Sequence, residues 1–124
     1  MSKVKLRVSQ YKEAIHVVGD PADWEMDWYK HTVIILGDDV CNIWVNIYEE
    51  DNFIIELNDN PELIRISNID ELKKLGKCLV IENTSFDYIS EYQTYEVFEE
   101  DIKRCFGSRA IFDNNINCYI LNEK

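Results

Sequence analysis

The sequence contains little proline and glycine, and it has none of the glycine-rich patterns that bind phosphate. Two prolines and four glycines in 124 residues leave no stretch with the composition of a long linker. Neither GxGxxG nor GxxxxGKS/T occurs, so nucleotide binding has no support in the sequence. The combined basic and aromatic motif of RNA-binding domains is absent as well.

Metal-binding patterns are also missing. The four cysteines are widely spaced, and no CxxC motif or Cys/His cluster occurs, so we expect no zinc site and no other metal or cofactor. Each cysteine lies in an apolar run, where a free thiol behaves as a small hydrophobic side chain, and we expect all of them to be reduced. The four are Cys41, Cys78, Cys105 and Cys118.

Nothing in the sequence marks a catalytic site. His16 and His31 are the only histidines, and neither lies in an HxH, HxxE or Ser/His/Asp arrangement. The oxygen-rich stretch 58–62 lacks the central glycine and the ligand frame of an EF-hand loop, and we interpret it as a turn. Among 24 acidic residues, no pair can be singled out as general acid and base. We therefore expect no catalytic residues and no enzymatic activity.

Long apolar runs are absent too. The opening residues MSKVKLRVSQ lack the apolar core of a signal peptide, and no segment approaches the length needed to span a bilayer. Reduced cysteines are typical of a reducing compartment. Together these features predict a cytoplasmic protein.

What the chain has in excess is negative charge. It carries 24 acidic and 13 basic residues, a net charge of −11. Nucleic acid and anionic membranes bind to cationic surfaces, so both are disfavoured as partners, whereas a cationic protein would be attracted. The local exception is a set of basic residues, the first three of which alternate with apolar residues as in a strand: Lys3, Lys5, Arg7 and Lys12.

A hydrophobic share of 46% is sufficient for a core, and the length fits a single domain over 1–124. Residues 11–18 fit either a helix or a strand. Four strands should form an antiparallel meander, because their connections are too short for crossovers. The meander strands are predicted at 31–36, 40–48, 53–57 and 63–67, and further strands at 3–8, 77–81, 109–113 and 117–121.

Start and stop signals predict the helices. Capping and dipole signals predict a short helix over 21–30, and Asn68 and Gly76 enclose a second one. Apolar and aromatic residues at intervals of three and four predict a long helix over 84–107, or from 94 onward. The predicted class is α+β: a mainly antiparallel sheet with two or three helices packed on it.

Acidic residues lie beside aromatic ones at predicted turns and helix surfaces. Trp24 and Trp28 have helical spacing and should pack inward, which leaves the carboxylates between them in solvent. Trp44 differs, because strand alternation turns it away from its apolar neighbours. It either lies under a helix or is exposed, and an exposed tryptophan is a typical interface anchor. The candidate partner-binding residues are Asp23, Glu25, Asp27, Trp44, Glu49, Glu50 and Asp51, with Glu99, Glu100 and Asp101 as a second patch.

The segment ADWEMDWYKH, followed by IWVNIYEEDNFIIEL, resembles part of the contact-dependent growth-inhibition immunity proteins. In some of these, a W…W/Y-K turn precedes a hairpin of the form WV-x-x-Y-x-E-D. The resemblance covers roughly the first half of the chain. It implies that the protein neutralises a partner protein and has no enzymatic activity, and it does not indicate which toxin is bound.

One functional hypothesis is favoured and others stay open. The first is a cytosolic immunity protein that covers the cationic cleft of a basic toxin, such as a nuclease, with carboxylates steering association and aromatic residues holding the complex. The second is a small-ligand-binding or enzymatic domain with a pocket beside the long helix, lined by Tyr88, Tyr92 and His16. A third is a phage-type decoy that mimics the charge of nucleic acid with the same acidic surface.

Overall fold

The computed structural model describes residues 2–10, 12, 14–18, 31–46, 52–84 and 90–122. Within these ranges the protein is α+β, with mostly antiparallel strands and two α-helices. Neither of these helices is long and apolar enough to cross a membrane. The elements in chain order are β1 (Lys3–Ser9), β2 (Ala14–Val18), β3 (His31–Leu36), β4 (Val40–Asn46), β5 (Asn52–Leu57), β6 (Asn60–Ile66), α1 (Ile69–Leu75), β7 (Cys78–Thr84), β8 (Tyr92–Phe98), α2 (Glu99–Phe106), a 3₁₀ turn (Gly107–Arg109), β9 (Ala110–Asp113) and β10 (Cys118–Leu121).

The strands of the described ranges form three sheets, which we call the first, middle and third sheets. The first sheet has the order β8-β1-β10-β9, the middle sheet β2-β3-β7 and the third sheet β4-β5-β6. Neighbouring strands are antiparallel except β1 and β10, which pair in parallel.

Strand β3 runs through the centre of the middle sheet and is buried on both faces. Val33 and Ile35 pack towards the first sheet and α2, while Ile34 packs towards the third sheet and α1; all three side chains are 0% exposed. Alternate side chains of a strand point to opposite faces, so a strand covered on both sides needs an uninterrupted apolar run. The three sheets are therefore stacked in layers, with one hydrophobic core on each side of the middle sheet.

Each core combines an outer sheet with one helix. The strands of the outer sheets alternate between buried and exposed residues, which is the pattern of a sheet covered on one face. The first core contains Leu6, Val8, Tyr95 and Val97 of the first sheet and Ile102, Cys105 and Phe106 of α2. The second contains Ile43, Phe53, Ile55 and Ile66 of the third sheet and Leu72 of α1.

Helix α1 has the two caps that its sequence predicts. The Asn68 side chain accepts a hydrogen bond from the backbone N–H of Glu71 at 2.9 Å, and the Glu71 carboxylate accepts one from the backbone N–H of Ser67 at 3.3 Å. At the other end, Gly76 adopts φ = 71°, a left-handed conformation that favours glycine. The predicted helix between Asn68 and Gly76 is confirmed.

The turn that follows β3 joins all three layers. The backbone N–H of Gly37 donates to the carbonyl of Lys77 at 3.0 Å, and that of Asp38 donates to the carbonyl of Cys105 at 2.8 Å. Ion pairs of 2.8 Å link Asp38 to Arg109, and Asp39 to Lys77. A Cβ atom at residue 37 would lie 2.3 Å from the Lys77 carbonyl oxygen, so the approach is possible only for glycine.

The predicted four-stranded meander is wrong in its first strand. Strands β4, β5 and β6 form an antiparallel meander as predicted, but β3 pairs with β2 and β7 in the middle sheet. Both edges of β3 are thus occupied, and the chain passes into another layer after 37–39. A short connection makes consecutive strands neighbours in space without making them partners in one sheet.

The predicted helix over 84–107 is wrong at its start, and the alternative start at 94 is five residues too early. Strand β8 occupies Tyr92–Phe98, and α2 begins at Glu99; residues 85–89 lie outside the described residues. Within β8, Tyr95 and Val97 are buried while the residues beside them are less buried or exposed, so the period is two. Aromatic residues of β8 also recur every three residues, as in a helix. Pairing of the whole strand with β1 decides between the two periods.

Two local predictions are corrected as well. The turn predicted over 58–62 comprises only residues 58 and 59, because Pro61 belongs to β6, an edge strand in which proline is tolerated. Cys41 is exposed although it lies in an apolar run, because the pairing of β4 with β5 shifts register between Val40 and Asn42. The structure has all four cysteines as free thiols.

The other element predictions have mixed outcomes. Strand 3–8 and the terminal hairpin are confirmed as β1 and as β9 with β10, and the ambiguous stretch 11–18 contains strand β2. The predicted helix over 21–30, with Trp24 and Trp28, lies outside the described residues.

Replacing Gly37 by Ala should destabilise the fold. The added methyl group would meet a backbone carbonyl rather than a flexible side chain, so the turn and β7 have to move apart. We expect a loss of about 1–3 kcal/mol in the free energy of unfolding, measured by urea denaturation. Exposed Ser108, replaced by Ala, serves as control and should change stability by less than about 0.5 kcal/mol. Equal stability of the two variants would contradict the close packing at Gly37.

Replacing Tyr95 by Phe should raise stability and reduce its loss at alkaline pH. The Tyr95 hydroxyl is buried and has no hydrogen-bond partner among the residues that the structure describes, so its removal should add about 1 kcal/mol at pH 7. Burial raises the pKa of Tyr95 to about 12 from its usual value of 10. The folded protein therefore holds this proton more tightly than the unfolded chain, and the resulting stability is lost as pH rises from about 10 through 12.

The measurement is urea denaturation of both proteins between neutral pH and pH 12. Tyr119→Phe is the control, because the Tyr119 hydroxyl hydrogen-bonds to Glu99 and its removal should not stabilise. If Tyr95→Phe is less stable than Tyr119→Phe at pH 7, the Tyr95 hydroxyl of the wild-type protein has a hydrogen-bond partner, which would contradict the prediction.

Cys41 should be the one thiol that reacts rapidly in the native protein. Cys78, Cys105 and Cys118 are 3%, 5% and 4% exposed, and burial raises the pKa of Cys78 to about 11, which keeps that thiol protonated at neutral pH. In a titration with a chromogenic disulfide, one of the four thiols should react rapidly in the native protein, and the other three should react only after denaturation. Cys41→Ser should have no rapid phase, and a rapid phase in that variant would show that another cysteine is accessible.

Candidate protein-binding surface

The outer face of the third sheet carries an exposed apolar patch. Trp44 pairs in register with Ile54 on β5, and Ile54 pairs with Arg65 on β6, so the three side chains form a row across the sheet. Leu63, two residues from Arg65 on β6, shares this face. Trp44 is 46% exposed and Leu63 51%. We call these four residues the Trp44 face.

The exposure of Trp44 follows from the register shift in β4. Val40 and Ile43 are both buried although they are three residues apart, because the irregularity between them adds a residue to the strand. From Ile43 onward the alternation is regular, which turns Trp44 outward. The prediction that Trp44 faces away from Ile43 is therefore confirmed, and of the two alternatives left open for it, cover by a helix or exposure, the structure has Trp44 exposed. Ile54, Leu63 and Arg65 are the residues that sequence reasoning missed.

A signal for these missed residues exists in the sequence. In LIRI (63–66), leucine and arginine alternate with two isoleucines, so a strand with one buried face exposes Leu63 and Arg65 together. Their position beside Trp44 depends on the register of β6 against β5. Strand alternation alone does not supply that register.

Six of the predicted acidic residues lie outside the described residues. Asp23, Glu25 and Asp27 belong to the sequence between β2 and β3, and Glu49, Glu50 and Asp51 belong to the sequence between β4 and β5. Their part in binding stays a prediction.

The second predicted patch lies in the first turn of α2. Glu99 pairs with Lys103 at 3.0 Å, and Asp101 pairs with Arg104 at 2.7 Å. The hydrogen bond from Lys103 lowers the pKa of the Glu99 carboxyl below its usual value. Negative side chains at a helix start also favour the helix through its dipole, so these residues have a structural explanation. Glu100 is exposed, and no cation pairs with it in the described ranges.

The structure does not bring Trp44 and the second predicted patch together. Trp44 lies on the outer face of the third sheet, whereas Glu99, Glu100 and Asp101 begin a helix that packs on the other side of the middle sheet. A single partner surface that includes both Trp44 and the start of α2 is therefore disfavoured by the layer arrangement.

Most of the net negative charge lies outside the described residues. The described ranges contain 14 of the 24 acidic and 11 of the 13 basic residues, a net charge of −3 out of −11. The stretches 19–30 and 47–51 each have a net charge of −3. The acidic excess is thus concentrated in a few sequence segments, one of which directly follows the strand that carries Trp44.

Of the residues named for the alternative ligand pocket, the structure places only Tyr92. Strand β8 replaces the predicted helix over Tyr92–Phe98, and Tyr92 lies on the outer face of the first sheet. Tyr88 and the side chain of His16 lie outside what the structure describes. Within the described ranges, no group of three or more His, Cys, Asp or Glu side chains is placed to hold a metal ion.

Comparisons with known proteins identify no relative. No family model, curated protein or solved structure matches the chain.

Proposed function

We propose that the protein is a protein-binding inhibitor that contacts its target through the Trp44 face. The observation that carries the proposal is the half-exposed indole of Trp44, which lies beside Ile54 and Leu63 on the outer face of the third sheet. Exposed tryptophan and arginine are the side chains that contribute most to protein interfaces when a partner covers them. Arg65, at the end of the same row, adds a hydrogen-bonding group to the apolar contact.

The acidic segments supply the second part of the proposal. An apolar patch gives affinity but little selectivity, whereas unbalanced charge steers partners of the opposite sign and raises the association rate. Asp23, Glu25 and Asp27, together with residues 49–51, would attract a basic partner. Glu99, Glu100 and Asp101 have a smaller part in this proposal, because two of these carboxylates are already ion-paired.

The target that fits this surface is a basic protein, for which a toxin domain with a cationic cleft is the proposed example. This agrees with the resemblance to the contact-dependent growth-inhibition immunity proteins, which implies neutralisation of a toxin such as a nuclease in the cytoplasm. The protein itself would act without catalysis. The near balance of charge in the described ranges supports an inhibitor with a local contact surface over a decoy that mimics nucleic acid along its whole length.

Replacing Trp44 by Ala should abolish target binding without unfolding the protein. Because the indole is half exposed, its loss should cost little stability, whereas Phe53→Ala, which empties a fully buried site, should cost about 3–5 kcal/mol. The full chain, immobilised, is exposed to a lysate of the source cell, and captured proteins are identified by mass spectrometry. Ile111→Ala, which changes an apolar residue 45% exposed on the first sheet, is the matched control.

The expected result is a basic protein that wild type and Ile111→Ala capture and that Trp44→Ala does not. When expressed alone, this protein should arrest growth, and co-expression of wild type but not of Trp44→Ala should relieve the arrest. Capture by Trp44→Ala at the wild-type level would exclude the Trp44 face. If the captured protein is not toxic, the chain is a protein-binding module, and the proposed inhibitor function is contradicted.

The acidic steering is tested on the same complex. Changing Asp23, Glu25 and Asp27 to Lys should slow association, most strongly at low salt, where charges are least screened. The measurement is the association rate against ionic strength for the variant and wild type. An unchanged rate with an unchanged salt dependence would exclude this segment and leave residues 49–51 as the candidate.

A further inference from the structure

The outer face of the first sheet carries a row of cations in an otherwise acidic protein. Lys3, Lys5 and Arg7 alternate with the buried residues of β1, the strand between β8 and β10. On the neighbouring strand β8, Tyr92 is 45% exposed and Phe98 37%. We call these five residues the cationic face.

The three cations differ from most other basic residues of the described ranges in what they contact. Elsewhere, five basic residues form ion pairs with carboxylates at 2.7–3.0 Å. By contrast, no ion pair of Lys3, Lys5 or Arg7 with a carboxylate exists in the part of the chain that the structure describes. The Lys3 ammonium lies 5.3 Å from the centre of the Phe98 ring, and the Arg7 guanidinium lies 4.8 Å from that of Tyr92.

Three carboxylates lie on the same side of the sheet. Glu96 lies opposite Lys5 on β8, Asp113 is at the far edge, and Glu91 lines a groove together with Arg7 and Lys12. Among the residues that the structure describes, none of the three forms an ion pair with the cations of β1. With Lys12 included, the described residues of this side comprise four cations and three carboxylates, so its charge is opposite in sign to the net charge of −11 of the chain.

Open grooves run along this face. One has a volume of about 570 Å³ and is lined by Lys5, Arg7, Tyr92 and Glu96; a second, of about 500 Å³, is lined by Arg7, Tyr92 and Ile120. Arg7, Tyr92 and Ile116 line both, so the two grooves adjoin at the guanidinium. Ile116 is 42% exposed and adds an apolar contact at the junction.

We propose that the cationic face binds an extended, carboxylate-bearing peptide segment of another protein. Alternate residues of β1 are about 6.7 Å apart, and alternate residues of an extended peptide have the same spacing. Acidic side chains at every second position of the peptide would therefore reach successive cations. The Arg7 guanidinium is held against Tyr92 and can offer two N–H groups to one carboxylate.

The contacts of the aromatic rings favour a peptide over single-stranded nucleic acid. Nucleic acid binds to sheet faces by stacking its bases on exposed rings. Here Lys3 and Arg7 each lie over one face of such a ring, so the rings hold cations in place. The negative charge of the rest of the chain also repels anionic ligands, and this repulsion extends over about 10 Å at 0.1 M salt. A long polyanion is therefore disfavoured more than a short peptide.

This site is separate from the Trp44 face. The first and third sheets cover opposite faces of the middle sheet, so their outer faces point away from each other. The protein could therefore hold an acidic segment on one side and a basic partner on the other. The inference does not depend on the proposed inhibitor function.

Fluorescence anisotropy of labelled hexaglutamate with the full-length protein tests the proposal. Wild type should bind the peptide, and labelled hexaglutamine should not bind. Lys5→Glu and Arg7→Glu should each weaken binding by roughly tenfold, because each replaces an attraction by a repulsion. Glu96→Gln should strengthen it, since it removes the carboxylate opposite Lys5.

Lys74→Glu is the matched control, because it makes the same charge change at an exposed residue of α1. It should leave binding unchanged, and circular dichroism should show that all variants are folded. Equal weakening by Lys74→Glu and Lys5→Glu would mean that only net charge matters and would overturn the site. Tighter binding of labelled oligothymidylate than of hexaglutamate, or no binding of hexaglutamate, would overturn the proposed ligand.

Discussion

A strand that is buried on both faces is the constraint on which the rest of the structure depends. β3 places three consecutive side chains in two different cores, and each face needs its own cover. The first sheet with α2 supplies one cover, and the third sheet with α1 supplies the other. The turn after β3 has to leave the middle sheet against the backbone carbonyls of Lys77 and Cys105, which only Gly37 permits.

The layer arrangement also decides where binding can occur. Both faces of the middle sheet are packed in cores formed by the described residues, and both surfaces considered for binding are outer faces of the other two sheets. Strand alternation places Trp44 on one of them and Lys3, Lys5 and Arg7 on the other. Because the two faces point in opposite directions, apolar and cationic contacts are kept apart on the molecule.

The negative charge is unevenly distributed along the chain, so the net charge of the whole chain does not describe the part that forms the sheets and helices. In the described ranges most cations outside β1 are neutralised by ion pairs, and the net charge there is small. Exposed ion pairs of this kind contribute little to stability, so their main effect is to weaken the long-range electrostatic field of the paired charges. The unbalanced carboxylates are concentrated in the sequence segments 19–30 and 47–51. Long-range attraction of a basic partner and close apolar contact with it therefore depend on different residues.

Local sequence patterns were sufficient where neighbours along the chain determine the conformation. Asn68 and Gly76 cap α1 through contacts within a few residues, and the alternation in β1 shows which of its side chains are exposed. The same patterns were insufficient for β8, because its aromatic residues satisfy a period of three as well as two and only pairing with β1 distinguishes them. They also could not assign β3 to the middle sheet, since its partners β2 and β7 are chosen by burial of both faces.

The sequence by itself determined how helix α1 is capped, and that Trp44 faces away from Ile43. The tertiary structure alone decided that Trp44 adjoins Ile54, Leu63 and Arg65, and that the cations of β1 stack on rings of β8. The reason is physical: capping and alternation arise from contacts within a few residues, whereas strand register and sheet order arise from contacts between segments far apart in the chain.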